Sequence, residues 1–319
     1  MKKLLLLLLL ILSVPVIAQN DFAQINPIDR HLLKSNIYSV SLPFELVQNL
    51  IVIDNLVVNG RKGKFIFDTG NQASLVLNDV FFRSEIATEI NKQTLTDTAR
   101  GITGNIPVVT NIKIDSLIMG DFIFAGFDAI AFNLEGVRSL IGRDFLGFIG
   151  YGILKEVEFA IDYKNKVVHI YRLNESGNPE EDPAYVKREL LDFSLEKGSM
   201  MANIYFGGKM IDFFLDTGAP KNSLDANLVK QLDQTYLSFT GLKDTITGGD
   251  GGSIITNDAL MTQLAVKDIT FEYMDTNVYP FPGNAGYKAT LGYPFFKQKV
   301  FAVNYFKKKL YICEIKKQQ

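Results

Sequence analysis

The apolar positions of this chain fall in short runs bounded by turn residues, and the runs recur. "VVNGRKGKFIFDTG" (57–70) holds two apolar stretches around Asn59-Gly60, and the second ends abruptly at Asp68. Dipeptides that tolerate positive φ between β-type runs predict a tight hairpin. "YFGGKMIDFFLDTG" (205–218) repeats the pattern around Gly207-Gly208 and ends the same way at Asp216. The two align without a gap, with Gly60 on Gly208, Arg61 on Lys209, Phe65 on Phe213 and Asp68 on Asp216. A second pair aligns equally well: "IGYGILKEVEFAIDYKNKVVHIY" (149–171) over "LGYPFFKQKVFAVNYFKKKLYIC" (291–313). Each member reads as a short helical turn followed by a hairpin, bending at Asn165 or Lys307. Between the pairs, "TNIKIDSLIMGDFIF" (110–124) and "TNDALMTQLAVKDITFEY" (256–273) correspond loosely in placement and β character.

The order hairpin, DTG, glycine-containing loop, strands, apolar-apolar-Gly, hairpin is thus written twice. A duplicated chain of this kind predicts two related lobes that pair like surface with like about a pseudo-twofold axis. Amphipathic helix patterns are confined to marginal segments near 79–92 and 224–233, so the expected class is all-β. Lobe 1 spans 37–175 and lobe 2 spans 193–319, after an N-terminal segment at 19–36. The stretch "RLNESGNPEEDPAYVKREL" (172–190) is rich in Asn, Glu, Pro and Gly, and residues 176–192 are expected to be a solvated linker.

"MKKLLLLLLLILSVPVIA" opens the chain with two lysines, a leucine run too short to span a bilayer comfortably, and small residues at Val16 and Ala18. This is the pattern of a secretory signal peptide over 1–18, with Gln19 starting the mature chain. The expected location is periplasmic or extracellular, with no membrane span in the mature form. The 33 basic residues less the two leader lysines face 35 acidic ones. So mild a balance argues against nucleic acid as a partner. One cysteine, Cys313 in an alternating strand pattern, excludes an internal disulfide. The two histidines, His31 and His169, lack ligand-type neighbours, so neither a metal site nor histidine-based nucleophilic catalysis is expected.

The candidate chemistry lies in the two DTG tripeptides. At average residue usage roughly 0.1 such tripeptides are expected in a chain of this length, and here two stand at matched points of a duplication. Pseudo-twofold packing would bring Asp68 and Asp216 together, where they share a proton and titrate as a pair. The ionised member can take a proton from water while the neutral member hydrogen-bonds a carbonyl oxygen. That chemistry needs neither metal nor cofactor. Thr69 and Thr217 supply hydroxyls to lock the loops, and Gly70 and Gly218 let the backbone turn tightly beside the carboxylates.

With these residues in view, the sequence resembles the pepsin/retropepsin-like aspartic proteases, and most of all bacterial exported aspartyl protease family proteins with two retropepsin-like halves. The resemblance runs over roughly 37–315 and implies a two-lobed acid-protease fold, each lobe a β-barrel with one DTG loop. It implies catalytic roles for Asp68 and Asp216. It also implies that apolar-Gly pairs, Ile149-Gly150 and Leu291-Gly292, brace the loops from behind. "SLIGRDFLG" (139–147) offers Gly142 as a second candidate, and the gapless lobe alignment favours Gly150. Two flaps over a substrate cleft are implied, at Gly101, Ile102, Thr103 and Gly104 and at Gly248, Gly249, Asp250 and Gly251. Glycines there would let backbone pair with an extended peptide or unfolded protein substrate. Asn71 departs from the small residue the family usually has after DTG, and its side chain is expected to reach the dyad. The absence of tryptophan, and of a tyrosine in the first flap, places the chain nearer the retropepsin branch.

The expected function is an aspartic-type endopeptidase acting as a monomer, since one chain holds both lobes. A catalytically idle peptide-binding protein of the same fold is the alternative. A surface protein for other ligands, such as glycans, has no tryptophan platform to support it.

Overall fold

The computed structural model describes residues 6–7, 31–82, 98–100, 105–107, 110–247, 253–282 and 285–316. Lobe 1 is built from β1 (Ser39–Val47), β2 (Leu50–Val58), β3 (Arg61–Phe67), β4 (Leu75–Asn78), β5 (Thr98–Arg100), β6 (Asn105–Pro107), β7 (Thr110–Ile114), β8 (Leu117–Met119), β9 (Phe122–Phe124), β10 (Phe127–Phe132), α1 (Glu135–Ile141), β11 (Phe145–Ile149), α2 (Tyr151–Leu154), β12 (Val157–Asp162) and β13 (Val167–Arg172). Lobe 2 follows with β14 (Tyr185–Asp192), β15 (Ser194–Glu196), β16 (Ser199–Phe206), β17 (Lys209–Leu215), β18 (Asn222–Asp225), α3 (Ala226–Val229), β19 (Leu237–Thr247), β20 (Ser253–Val266), β21 (Ile269–Tyr279), β22 (Ala289–Leu291), α4 (Tyr293–Phe296), β23 (Val300–Asn304) and β24 (Lys309–Ile315). The expected two-lobed, acid-protease-like all-β architecture is what the chain adopts.

Both hairpin turns form as the dipeptides predict. Asn59 and Gly60 have φ of 46° and 77°, and Gly207 and Gly208 have 58° and 88°. Two consecutive positive φ values match the twist of the flanking strands. Beyond the turn, Phe65, Ile66 and Phe67 are all buried, as are Phe213, Phe214 and Leu215. The reason is that both faces of these strands are covered. Phe65 and Phe67 join the main core, while Ile66 packs with Leu50, Val52, Val76 and Phe148 on the opposite face. A strand covered twice reads as a continuous apolar run rather than an alternating one. Each such phenylalanine contributes on the order of 2–3 kcal/mol by leaving water.

The topology around each DTG strand is the same. In lobe 1, β11 runs parallel to β3 and antiparallel to β4, while β10 runs parallel to β4. In lobe 2, β22 runs parallel to β17 and antiparallel to β18, while β21 runs parallel to β18. A shared sheet, in the order β14-β24-β23-β12-β13-β1, floors both lobes. At its centre Ala160 pairs with Ala302, two residues that align in the internal repeat. A residue facing its own counterpart marks the pseudo-twofold axis. β1 leaves this sheet at Pro43: residues 39–43 pair with β13 and residues 44–47 with β2. Proline, which brings no donor to a ladder, suits a point where the strand changes partner.

The stretch expected to be a linker is in part a strand. Residues 185–192 pair with Lys309–Ile315 along the outer edge of the shared sheet. Composition hid this, because only Tyr185, Leu190 and Leu191 of the strand are buried. The crossing into lobe 2 mirrors that of β1: Phe193 N–H donates to Lys308 O at 3.0 Å, and Phe44 N–H to Lys166 O at 2.9 Å. Inside the floor, Glu158 is fully buried. Its carboxylate accepts from Lys187 at 2.8 and 2.7 Å, from the Tyr185 hydroxyl at 3.0 Å and from Asn304 at 2.7 Å. Cys313 lies buried on β24, in the small-side-chain role its strand pattern suggests. Of the marginal helical segments, residues 79–81 form a 3-10 turn and 226–229 a single α-turn. The leader at 1–18 lies outside the described residues apart from 6–7. Among the described residues no helix is long and apolar enough to cross a membrane.

Candidate active site

Asp68 and Asp216 each follow the last residue of a buried strand and meet at the lobe interface. A methyl group placed on Gly70 would lie 2.5 Å from Asp216 Oδ1, and one on Gly218 would lie 2.4 Å from Asp68 Cγ. Each glycine therefore stands where any side chain would displace the opposite carboxylate. Each also supplies a donor: Gly70 N–H donates to Asp68 Oδ1 at 2.8 Å and Gly218 N–H to Asp216 Oδ1 at 2.7 Å. Both carboxyls are 2% exposed.

The threonines cross the interface. Thr69 N–H donates to Thr217 Oγ1 and Thr217 N–H to Thr69 Oγ1, both at 3.0 Å. The hydroxyls donate onward, Thr69 to Leu215 O at 3.2 Å and Thr217 to Phe67 O at 3.1 Å. Each hydroxyl thus accepts from one loop and donates to the strand that carries it, in two-fold copies. Two further bonds join the same loops to the other lobe: Asn49 Nδ2 to Pro220 O at 3.1 Å, and Gln72 Nε2 to Ser199 Oγ at 2.9 Å.

The apolar-Gly pairs lie behind the loops. Asp68 N–H donates to Ile149 O at 3.0 Å and Asp216 N–H to Leu291 O at 2.9 Å. A methyl on Gly150 would fall 2.4 Å from Asn71 O, and one on Gly292 would fall 2.4 Å from Ala219 O. Gly142 stands elsewhere. It ends α1 with φ of 130°, its N–H bonded to Arg138 O, and the nearest atom to an added methyl is Asp144 Oδ1 at 3.0 Å.

Asn71 does not serve the dyad through its side chain. Its Oδ1 accepts from Ala73 N–H at 3.0 Å, closing a local turn, and its Nδ2 has no hydrogen-bond partner. The influence on Asp68 comes instead from the Asn71 backbone N–H, which favours the charged carboxylate. An amide side chain that satisfies its own loop first is the ordinary behaviour of asparagine in turns.

Burial pushes both carboxyls above the usual carboxylate range. The neighbouring Asp216 raises Asp68 further, whereas hydrogen bonds from Asp68 and from the Gly218 and Gly70 N–H groups pull Asp216 part of the way back. The two buried carboxyls therefore titrate as a unit.

Beneath the dyad, rings cross between the repeats. Tyr151 aligns with Tyr293 and Tyr163 with Tyr305, yet Tyr163 packs on Tyr293 at 5.4 Å and Tyr151 on Tyr305 at 5.2 Å between centroids. These edge-on pairs each span the lobes and add to the rigidity of the floor. The sequence reading missed this exchange, as it missed Asn49, Gln72 and Ser199. The repeat identifies equivalent tyrosines, but which copy touches which depends on the axis.

Both proposed flap tips, 101–104 and 248–251, lie outside the described residues. Their flanks are described: β5 pairs antiparallel with β6 from Thr98↔Pro107 to Arg100↔Asn105, and β19 pairs with β20 as far as Thr247↔Ser253.

Two carboxylate loops are locked face to face at the junction of duplicated β lobes, and part of lobe 1 is similar in sequence to a described family. Residues 55–147, which include the first DTG, match the family described as gag-polyprotein putative aspartyl protease. No curated protein matches the chain. Among solved structures, basic 7S globulin from soybean is similar over 86% of this chain and 95% of its own, with 10% identity and a TM-score of 0.44.

Proposed function

We propose that the protein is an exported aspartic endopeptidase whose catalytic residues are Asp68 and Asp216. The observation that carries this reading is the two-fold lock, which holds two buried carboxyls against each other's glycine. In the proposed cycle, ionised Asp216 takes a proton from a bound water as its oxygen attacks the peptide carbonyl. Asp68 gives its proton to the carbonyl oxygen, yielding a neutral gem-diol. Asp216 then protonates the amide nitrogen, the C–N bond breaks, and a diol hydroxyl returns its proton to Asp68. Products are a carboxylic acid and an amine, and the dyad is restored.

The substrate class is an extended peptide or unfolded protein, laid between hairpins β5–β6 and β19–β20, whose tips at 101–104 and 248–251 would pair with its backbone. Removal of residues 1–18 would deliver a monomer to the periplasm or the outside. The test is incubation of the mature chain, beside its Asp216→Asn variant, with a diverse peptide mixture from about pH 3 to pH 8. New termini are read by mass spectrometry. Cleavage by the wild type alone is expected; a folded protein that cuts nothing at any pH would leave the peptide-binding alternative.

A further inference from the structure

Three residues beyond the second DTG, Lys221 makes a largely buried ion-pair cluster in lobe 2. Its ammonium donates to Asp244 Oδ2 at 2.9 Å and to Asp258 Oδ1 at 2.8 Å. The three side chains are 14%, 12% and 22% exposed. Asp244 lies on β19 and Asp258 on β20, two strands paired antiparallel as far as Thr247↔Ser253. Asp244 sits opposite Thr256, and Asp258, two residues further on, shares its face. The lysine thus holds both strands of the hairpin at once. It does so from a distance in the sheet, because Lys221 precedes β18, and β21 lies between β18 and β20.

A second attachment lies nearer the tip. Ile246 and Ile254, paired across β19–β20, pack with Phe214, Ala219, Tyr279, Phe281 and Tyr287. Ala219 directly follows the DTG loop and Phe214 is two residues before Asp216, so this apolar cluster ties the hairpin to the same loop. The matching position of lobe 1 has no lysine. The residue aligned with Lys221 is Ala73, which carries no charge.

We infer that Lys221 is a positioning residue, latching the β19–β20 hairpin to the Asp216 loop so that this hairpin is a fixed wall of the substrate cleft rather than a freely moving flap. Without the ammonium, two half-buried carboxylates face each other across the hairpin with no counter-charge. Removing one partner of such a cluster costs far more than the cluster contributes, because the remaining charges stay desolvated. The cost falls on the hairpin, which opens more often while the shared floor keeps its ladder. The consequence for substrate rests on the peptidase reading; the latch itself does not.

Hydrogen exchange on the mature chain tests it. In Lys221→Met, amides of 243–247 and 253–257 are expected to exchange about tenfold faster or more, with those of β12 and β23 unchanged as an internal control. Lys221→Arg is expected to restore protection to within about threefold. On a cleaved peptide, Lys221→Met is expected to raise KM about tenfold while kcat stays within about twofold, as for a wall that holds substrate without touching the reacting atoms. Unchanged hairpin exchange in Lys221→Met overturns the latch whether or not any peptide is cut, and a wild type that cuts nothing sinks the peptidase reading alone. Should Lys221→Met loosen the floor as well, Asp244→Asn with Asp258→Asn takes its place. Faster exchange confined to the hairpin then supports the latch, and its absence refutes it.

Discussion

Replacing Thr217 by valine isolates the lock between the two lobes. Valine keeps the volume and branching of threonine, so the fully buried site is neither emptied nor crowded. What goes is one hydroxyl that accepts from Thr69 N–H at 3.0 Å and donates to Phe67 O at 3.1 Å. Both backbone groups stay buried and lose their partner. An orphaned buried donor or acceptor costs about 1–3 kcal/mol, so the pair together should cost about 2–5 kcal/mol. Against a whole-domain stability of about 5–15 kcal/mol, that is a large share for a single oxygen. Serine at the same position keeps the hydroxyl and loses only a methyl, at about 1 kcal/mol. The assay is urea unfolding followed in parallel by far- and near-ultraviolet circular dichroism, whose coincidence checks that one transition is read. A Thr217→Val loss under about 1 kcal/mol, or a Thr217→Ser loss as large as that of valine, would refute the assignment of the hydroxyl as the lock.

Four further variants follow from the same geometry. Asp68 has a raised pKa in the folded state, so the native protein binds more protons than the unfolded chain above the ordinary carboxylate range, and stability falls as pH rises through the folded pKa. Asp68→Asn, neutral throughout, should therefore be more stable than wild type at pH 7 and lose that advantage towards pH 4, read by urea midpoints across pH. Gly150→Ala puts a methyl 2.4 Å from Asn71 O and 2.5 Å from Ala73 O, both backbone atoms, and should cost several kcal/mol and abolish the proposed peptidase activity. Gly142→Ala meets strain at its φ of 130° and one close contact at 3.0 Å, to the exposed Asp144 side chain, and should cost about 1–2 kcal/mol with the dyad intact. Lys187→Met strands the fully buried Glu158 carboxylate and should destabilise the chain by about 3–5 kcal/mol; a loss below about 1 kcal/mol would show that Tyr185 and Asn304 suffice.

Local pattern carried far in this chain because the duplication states each decision twice. The turn dipeptides, the unbroken apolar runs before Asp68 and Asp216, and the apolar-Gly pairs at 149–150 and 291–292 are all short-range signals, and each maps onto the element it suggested. The choice between Gly142 and Gly150 was open from composition, since both follow apolar residues. Of the two, Gly150 is the one packed against the DTG loop, with Asn71 O at 2.4 Å and Ala73 O at 2.5 Å from an added methyl. The strand at 185–192 was illegible because an edge strand with few buried residues has the composition of a loop; its evidence lies on β24, more than a hundred residues away.

Asn71 shows the other limit. Its position one residue after the DTG was plain, but an asparagine can satisfy its own turn or reach a neighbour, and only the backbone path decides. The amino-acid sequence by itself determined the lobes, the hairpins and the two carboxylates, because periodicity and turn chemistry act over a few residues. The tertiary structure decided which groups meet across the axis: Thr69 with Thr217, Tyr163 with Tyr293, and Lys221 with two aspartates on a hairpin two strands away. Those pairings depend on how two sheets are placed against each other, and no spacing along a chain encodes that distance.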